Sequence, residues 1–328
     1  MTDRGDVSRC VPPVMAYTLV CNKLTFMLFR SFWIGVLLLL ASPAQACDAC
    51  GCSMSPSYAA LMPSLGGHFV GFWWQHQHYR TFADPAFDAG TRPQDEYFNT
   101  LEIRGRWEIH PRLQATMMLP YAYHLRQDAN GPRTVSGMGD VTGLLSYTFF
   151  DNSDSLQLKV RHRIVAGIGG KAPTGAFQQP AANEVVNPNF QVGTGSWDAL
   201  FNLNYTARSG RSGLLLDATY RLNGAGENGY QFGNRFAGLL SLFRVEQIGG
   251  LSVMPNLGLY YEQADWDIEN GYYRTYTGGE AWLANAGAEV FWQRYNLGVT
   301  YSLPLQQDWN TGLVEARSRV ALHLNYFF

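Results

Sequence analysis

The sequence predicts an all-β fold: a transmembrane antiparallel outer-membrane β-barrel of about 12 strands, with both termini periplasmic. Three observations predict it. Apolar and polar residues alternate with period two in segment after segment. The connections between those segments alternate between short and long. The last segment, RVALHLNYFF, puts Val320, Leu322, Leu324, Tyr326 and Phe328 on one face and Arg319, Ala321, His323, Asn325 and Phe327 on the other. In water that apolar face would be an aggregation hazard. In lipid it is what the surroundings require, and a terminal Phe328 is the expected assembly signal for the barrel assembly machinery.

Composition excludes the main alternatives. Charged residues are 15% of the chain and the net charge is −2, so no basic field points to nucleic acid. Hydrophobic residues are 46%, which excludes a disordered chain. Mean hydropathy is −0.15. Beyond residue 42 no apolar run approaches the ~20 residues of a spanning helix.

In chain order, residues 1–46 read as an export signal. The apolar stretch LTFMLFRSFWIGVLLLLA at 24–41 is followed by Ser42-Pro43 and by Ala44-Gln45-Ala46, a small-x-small cleavage pattern. Asp3, Asp6 and Pro12-Pro13 suit a signal poorly, so translation is expected to start at Met27. Residues 47–67 form a periplasmic segment carrying Cys47, Cys50 and Cys52. Three thiolates this close could hold Cu(I) or zinc. A disulfide with one thiol left over is the alternative in an oxidising compartment, and lipidation of Cys47 is a third, against which stands Ala44 where leucine is usual.

Residues 68–328 form the barrel. Strands are expected at 68–82, 97–109, 113–127, 138–150, 155–170, 190–208, 213–223, 231–247, 251–266, 280–292, 295–306 and 313–328. Short connections fall at His110-Pro111-Arg112, Asp151–Asp154, Ser209–Ser212, Ile248-Gly249-Gly250 and Gln293-Arg294; longer polar ones fall at 83–96, 128–137, 171–190, 224–231, 267–279 and 307–312. Aromatics at Phe72-Trp73-Trp74, Tyr121 and Tyr123, Phe149-Phe150, Tyr260-Tyr261 and Trp292 suit interfacial girdles.

A barrel of this size is too wide for ordinary side chains to fill, so its lumen must hold water, a plug or charged groups. The face opposite the lipid offers Glu102, Arg104, Arg106, Glu108, Lys159, Arg161, Arg163, Asp198, Asp217, Arg221, Glu289, Glu315, Arg317 and Arg319 as lumen-lining candidates. The near balance of signs suggests ion pairs rather than a funnel of one charge. His76 and His78 share a face on the first strand and could ligate a metal, although packing at the interface explains them as well.

Three segments carry a resemblance. Gly137-Met138-Gly139-Asp140 opens a strand, Lys171-Ala172-Pro173-Thr174-Gly175 ends one, and Gly193-Thr194-Gly195-Ser196-Trp197-Asp198 opens the next. In this order they resemble the outer-membrane barrels named for the MetA pathway of phenol degradation. The resemblance implies a transporter or channel of the cell outer membrane and offers no catalytic residues. Ser196 has no histidine nearby in sequence, which argues against a barrel hydrolase. The expected function is a channel or transporter for small solutes, which could include hydrophobic ones; the alternative is a metal-handling barrel that uses the cysteines. Membrane lipid, an unidentified small solute and the assembly machinery are the expected partners, and no resident cofactor is expected beyond a metal at the cysteines.

Overall fold

Each alternating segment pairs with its neighbour in sequence, because short turns leave antiparallel pairing as the nearest way to satisfy the backbone. The computed structural model describes residues 67–82, 93–128, 131–153, 155, 157–177, 180–181, 184–185, 188–226 and 229–328. The signal and the cysteine segment, with Cys47, Cys50 and Cys52, lie outside the described residues.

Twelve antiparallel strands close into a barrel. They are β1 Phe69–Thr81, β2 Gln94–His110, β3 Leu113–Asp128, β4 Gly131–Met138 continued by Val141–Asp151, β5 Arg161–Ala172, β6 Asp198–Ser209, β7 Ser212–Asn223, β8 Arg235–Arg244 continued by Glu246–Ile248, β9 Leu251–Ala264, β10 Gly279–Trp292, β11 Tyr295–Trp309 and β12 Val314–Phe327. β1 pairs with β12 from Phe69 opposite Phe327 to Thr81 opposite Val314, which closes the ring. No open edge is left to meet lipid. The short turns and both described ends lie on the periplasmic side. At one of those turns, Gly249 and Gly250 have φ of 54° and 86°, the left-handed pair that a two-residue hairpin needs.

Side chains alternate as the period predicts. Leu101, Ile103, Leu203, Leu240, Val299 and Leu324 point out to the lipid. Their intervening neighbours point in. Consecutive aromatics therefore split between the faces: Phe72 and Trp74 face out while Trp73 is buried inside, and Tyr260 is likewise inside. Neither Trp73 nor Tyr260 belongs to a girdle.

Four stretches differ from expectation. Residues 131–138 continue the wall instead of forming an outer loop, since β3 and the first part of β4 pair from Tyr121 opposite Met138 to Asp128 opposite Gly131. Residues 157–160 are bends, so β5 begins six residues later than the alternation suggested. Residues 190–197 are an inserted loop, and β6 starts only at Asp198. Near the outer end of β12 the register slips: His78 pairs with Ser318 but Tyr79 pairs with Ala316. Arg317 is the extra residue of a β-bulge, and such a bulge reverses which residues face inward beyond it.

Candidate functional site

The lumen is not lined by charge alone. A connected cluster of inward side chains, including Tyr79, Phe98, Leu215, Leu239, Tyr260 and Leu283, makes much of the inner wall apolar. Nearer the periplasmic end the wall is polar. The Trp73 ring lies between the Arg104 guanidinium, 4.0 Å from its centroid, and the His323 ring, stacked at 4.1 Å. Its indole N–H donates to Asn325 Oδ1 at 3.1 Å. Glu289 Oε2 accepts from Asn296 at 2.8 Å and lies 2.9 Å from His323 Nε2.

The segments that carried the family resemblance converge on one buried network. β4 is interrupted at Gly139-Asp140, where Pro120 on the facing strand has no N–H to give and Gly139 N–H donates to its carbonyl at 2.8 Å. The bulge turns Asp140 inward. Its carboxylate accepts from Gly175 N–H at 2.9 Å, and from Thr194 N–H and the Thr194 hydroxyl at 2.8 Å each. Lys171 reaches Asp140 at 3.1 Å and Asp198 at 2.6 Å, and donates to the Thr194 hydroxyl. Ser196 donates to Asp198 at 2.9 Å. Charges as deeply buried as these persist only when paired and hydrogen-bonded. The loop and the wall touch so closely that a Cβ on Gly193 would sit 2.5 Å from the Gly175 carbonyl oxygen, so glycine is required there.

This network holds the described ends of the connection, 173–177 and 188–197, against the inside of the wall. Phe190 and Thr194 are buried although they belong to a connection. Phe190 packs on the strands beyond β4, where it meets Phe98 of β2 edge-on at 5.9 Å and the His124 ring of β3 at 6.1 Å. The Arg126 guanidinium lies 4.8 Å from its centroid and is held there by Glu96 at 2.5 Å. Beside the loop lies a cavity of about 160 Å³ whose wall includes Gln191, Val192 and Thr194 from the loop and Arg104, His124 and Arg221 from the strands.

The sequence-selected residues divide as follows. Glu102, Arg104, Arg106, Glu108, Arg161, Arg163, Asp198, Asp217, Arg221, Glu289 and Arg319 stand at inward positions of their strands. Most are tied to neighbours: Arg104 to Glu102, Arg163 to Asp151 at 3.4 Å, Asp217 to Asn204 at 3.1 Å, and Glu108 to Gly67 N–H at 2.8 Å. Arg106 and Arg161 bond the carbonyls of Gly67 and Ser153 at 3.2 and 3.1 Å. Three assignments are corrected. Lys159 is exposed in the turn before β5. Glu315 and Arg317 face outward and pair with each other at 2.8 Å, because the bulge shifts the alternation. His76 and His78 also face outward, bonded to Asn99 at 2.8 Å and Asp95 at 2.9 Å. Among the described residues no group of three or more His, Cys, Asp and Glu side chains is placed to hold a metal.

Sequence reasoning did not select Lys171, Glu96, Arg126, His124 or Glu262. Asp140 and Lys171 stood inside the motifs but were read only as turn and strand-end residues. Their pairing depends on a bulge that leaves no local signal.

No family model matches the chain, and no curated protein sequence does. Among solved structures the barrel is similar to an outer-membrane channel from Pseudomonas putida F1. The identity is 15% over 81% of this chain and 97% of that one, with a TM-score of 0.59. It is also similar to the beta domain of the Bordetella autotransporter BrkA, 15% identical over 80% of this chain and 100% of that one, with a TM-score of 0.48. With the closed ring of strands and its apolar outer face, the likeness to the P. putida channel shows that the chain has the fold of an outer-membrane barrel.

Proposed function

We propose that this barrel is a channel through which small, largely apolar solutes cross the outer membrane. The observation that carries the reading is the connected apolar lining of the lumen, from Tyr79 and Phe98 through Leu215 to Leu283. These inward side chains pack on one another, and the cavity beside them is lined by Trp73, Met118, Leu144, Val192 and Leu200 as well as by polar groups, so the interior suits a poorly hydrated solute better than a hydrated ion. The P. putida protein is a channel by its own description, and this chain is read as having the same class of role. We also infer membership of the MetA-pathway barrels, since the residues of that resemblance assemble into one network. No enzymatic role is assigned. Ser196 is bonded to Asp198 and lies 3.3 Å from Thr194 Oγ1, which suits a structural hydroxyl.

The test is uptake of the apolar fluorophore 1-N-phenylnaphthylamine by intact Gram-negative cells. Cells producing the barrel should take it up faster than cells with empty vector. Equal rates, with heat-modifiable barrel present in the membrane, would overturn the channel reading.

A further inference from the structure

We propose that the periplasmic rim at β7 and β8 holds a site for the headgroup of an anionic phospholipid, with Arg211 and Arg244 taking its phosphate. The site lies on the outer face of the wall and does not depend on what passes through the lumen.

The strand pattern sets its depth. On β8, Leu240, Leu242 and Arg244 share the outward face. Leu242 pairs with Leu257 of β9 and with Leu214 of β7. Leu242 and Leu257 are 60% and 67% exposed, a surface that acyl chains cover. Arg244 follows two residues later, about 7 Å along the strand toward the periplasm. That step carries the outer face from hydrocarbon to the level of the headgroups. Arg211 arrives at the same place from the turn between β6 and β7, because its neighbour Ser212 is the ladder partner of Arg244.

The two guanidiniums converge on one carboxylate. Glu246 Oε2 accepts from Arg211 Nη1 at 2.8 Å, and Glu246 Oε1 accepts from Arg244 Nε. Glu246 therefore holds the pair together and cancels one charge of the two. A single positive charge is left over, and both guanidiniums keep N–H groups that Glu246 does not use. Both arginine side chains are well exposed to whatever lies beside the wall.

A phosphodiester fits this arrangement. It carries one negative charge, and its two free oxygens match the spacing of guanidinium N–H groups. Its acyl chains would run over Leu242 and Leu257, which makes the site continuous with the lipid-facing wall. A glycerol headgroup keeps the phosphate charge whole. An ethanolamine headgroup brings its own ammonium to a place already held by two cations, so the site favours the anionic lipid over the zwitterionic one.

The test is native mass spectrometry of the full-length barrel, refolded into nanodiscs of equimolar dimyristoyl phosphatidylglycerol and phosphatidylethanolamine. The released parent barrel should retain phosphatidylglycerol about fivefold over phosphatidylethanolamine, the preference expected from one uncompensated basic side chain at a lipid surface. Arg211→Gln with Arg244→Gln should bring the ratio close to one. Glu246→Gln should raise it above the parent value, because the competing carboxylate is gone. Arg112→Gln, in the exposed turn between β2 and β3, should leave it unchanged. Should the double variant give no heat-modifiable band, Glu246→Gln decides: a ratio at or below the parent value would overturn the site. Equal retention of the two lipids by the parent, or the parent ratio in the double variant, would overturn it as well. An equal fall in Arg112→Gln would overturn it in favour of a diffuse basic rim.

Discussion

Arg319 and Glu262 show how the interior uses charge. Arg319 on β12 reaches Glu262 on β9, past two intervening strands, and makes two parallel bonds to its carboxylate, one of them 2.8 Å long. A third proton of the guanidinium goes to the Tyr79 hydroxyl at 2.7 Å. Both side chains are nearly enclosed. Truncating one partner of such a pair strands the other charge in a dry interior, at a cost of about 3–5 kcal/mol. Glu262→Gln should therefore lower the unfolding free energy of the refolded barrel, read from urea denaturation, by an amount in that range, and Glu262→Leu with Arg319→Met together should recover most of it. A single variant as stable as the parent would mean that the pair is solvated. Alternation along β12 made the inward direction of Arg319 legible. Its partner was not legible, because a contact across the lumen depends on barrel closure and leaves no trace in local periodicity. The same periodicity misplaced Glu315 and Arg317, four and two residues before it, since one bulged residue ends the pattern without changing composition.

At the level of elements, the outer connections carry more structure than their polar sequences suggest. Short pairings tie the β7–β8 connection to the β9–β10 connection: Tyr230-Gln231 pairs with Ile268-Glu269, and that pair with Tyr272-Tyr273. Asp267 organises them. Its carboxylate accepts from the Tyr230 hydroxyl and from Gly233 N–H, the latter at 2.7 Å, while its own N–H donates to Thr277 at 2.8 Å. Burial pushes the Asp267 carboxyl above the usual carboxylate range, and burial does the same to Asp265. A carboxyl whose folded pKa is raised favours the folded loop while protonated. That contribution is complete below the ordinary carboxylate value and is lost as pH rises through the raised one. Amides of 265–278 should accordingly exchange faster, after correction for intrinsic rates, at about pH 8 than at about pH 5. Asp267→Asn should flatten the difference, and a flat profile in the parent would contradict the assignment. The loop 173–197 shows a different limit of sequence reading. Its motifs were recognisable from glycine, proline and aspartate, and 190–197 still read as strand, because inward folding is fixed by Asp140 54 residues away from Thr194.

For the whole molecule the dominant design is the division of each strand between two solvents. The sequence made that division readable nearly everywhere, since lipid tolerates no mixture on the outer face. Leu203 lies near the middle of β6 and points outward, and it is paired with Ala166 and Ala218 on the flanking strands. Leu203→Arg should destabilise the barrel in vesicles by about 2–4 kcal/mol, the cost of a cation near the bilayer midplane. Denaturant unfolding in vesicles would measure it, and a loss near zero would place Leu203 outside the lipid belt. The pairing of β1 with β12 has a consequence for how the chain is made. Phe69 meets Phe327 across nearly the whole length of the described chain. The first wall strand therefore keeps an open hydrogen-bonding edge until the last one arrives. A product cut short before Val314 would keep two raw edges, on β1 and β11, and each would recruit other chains. Ring closure thus works as an inspection of completeness: only a chain carried through to its final strand can cease to be sticky.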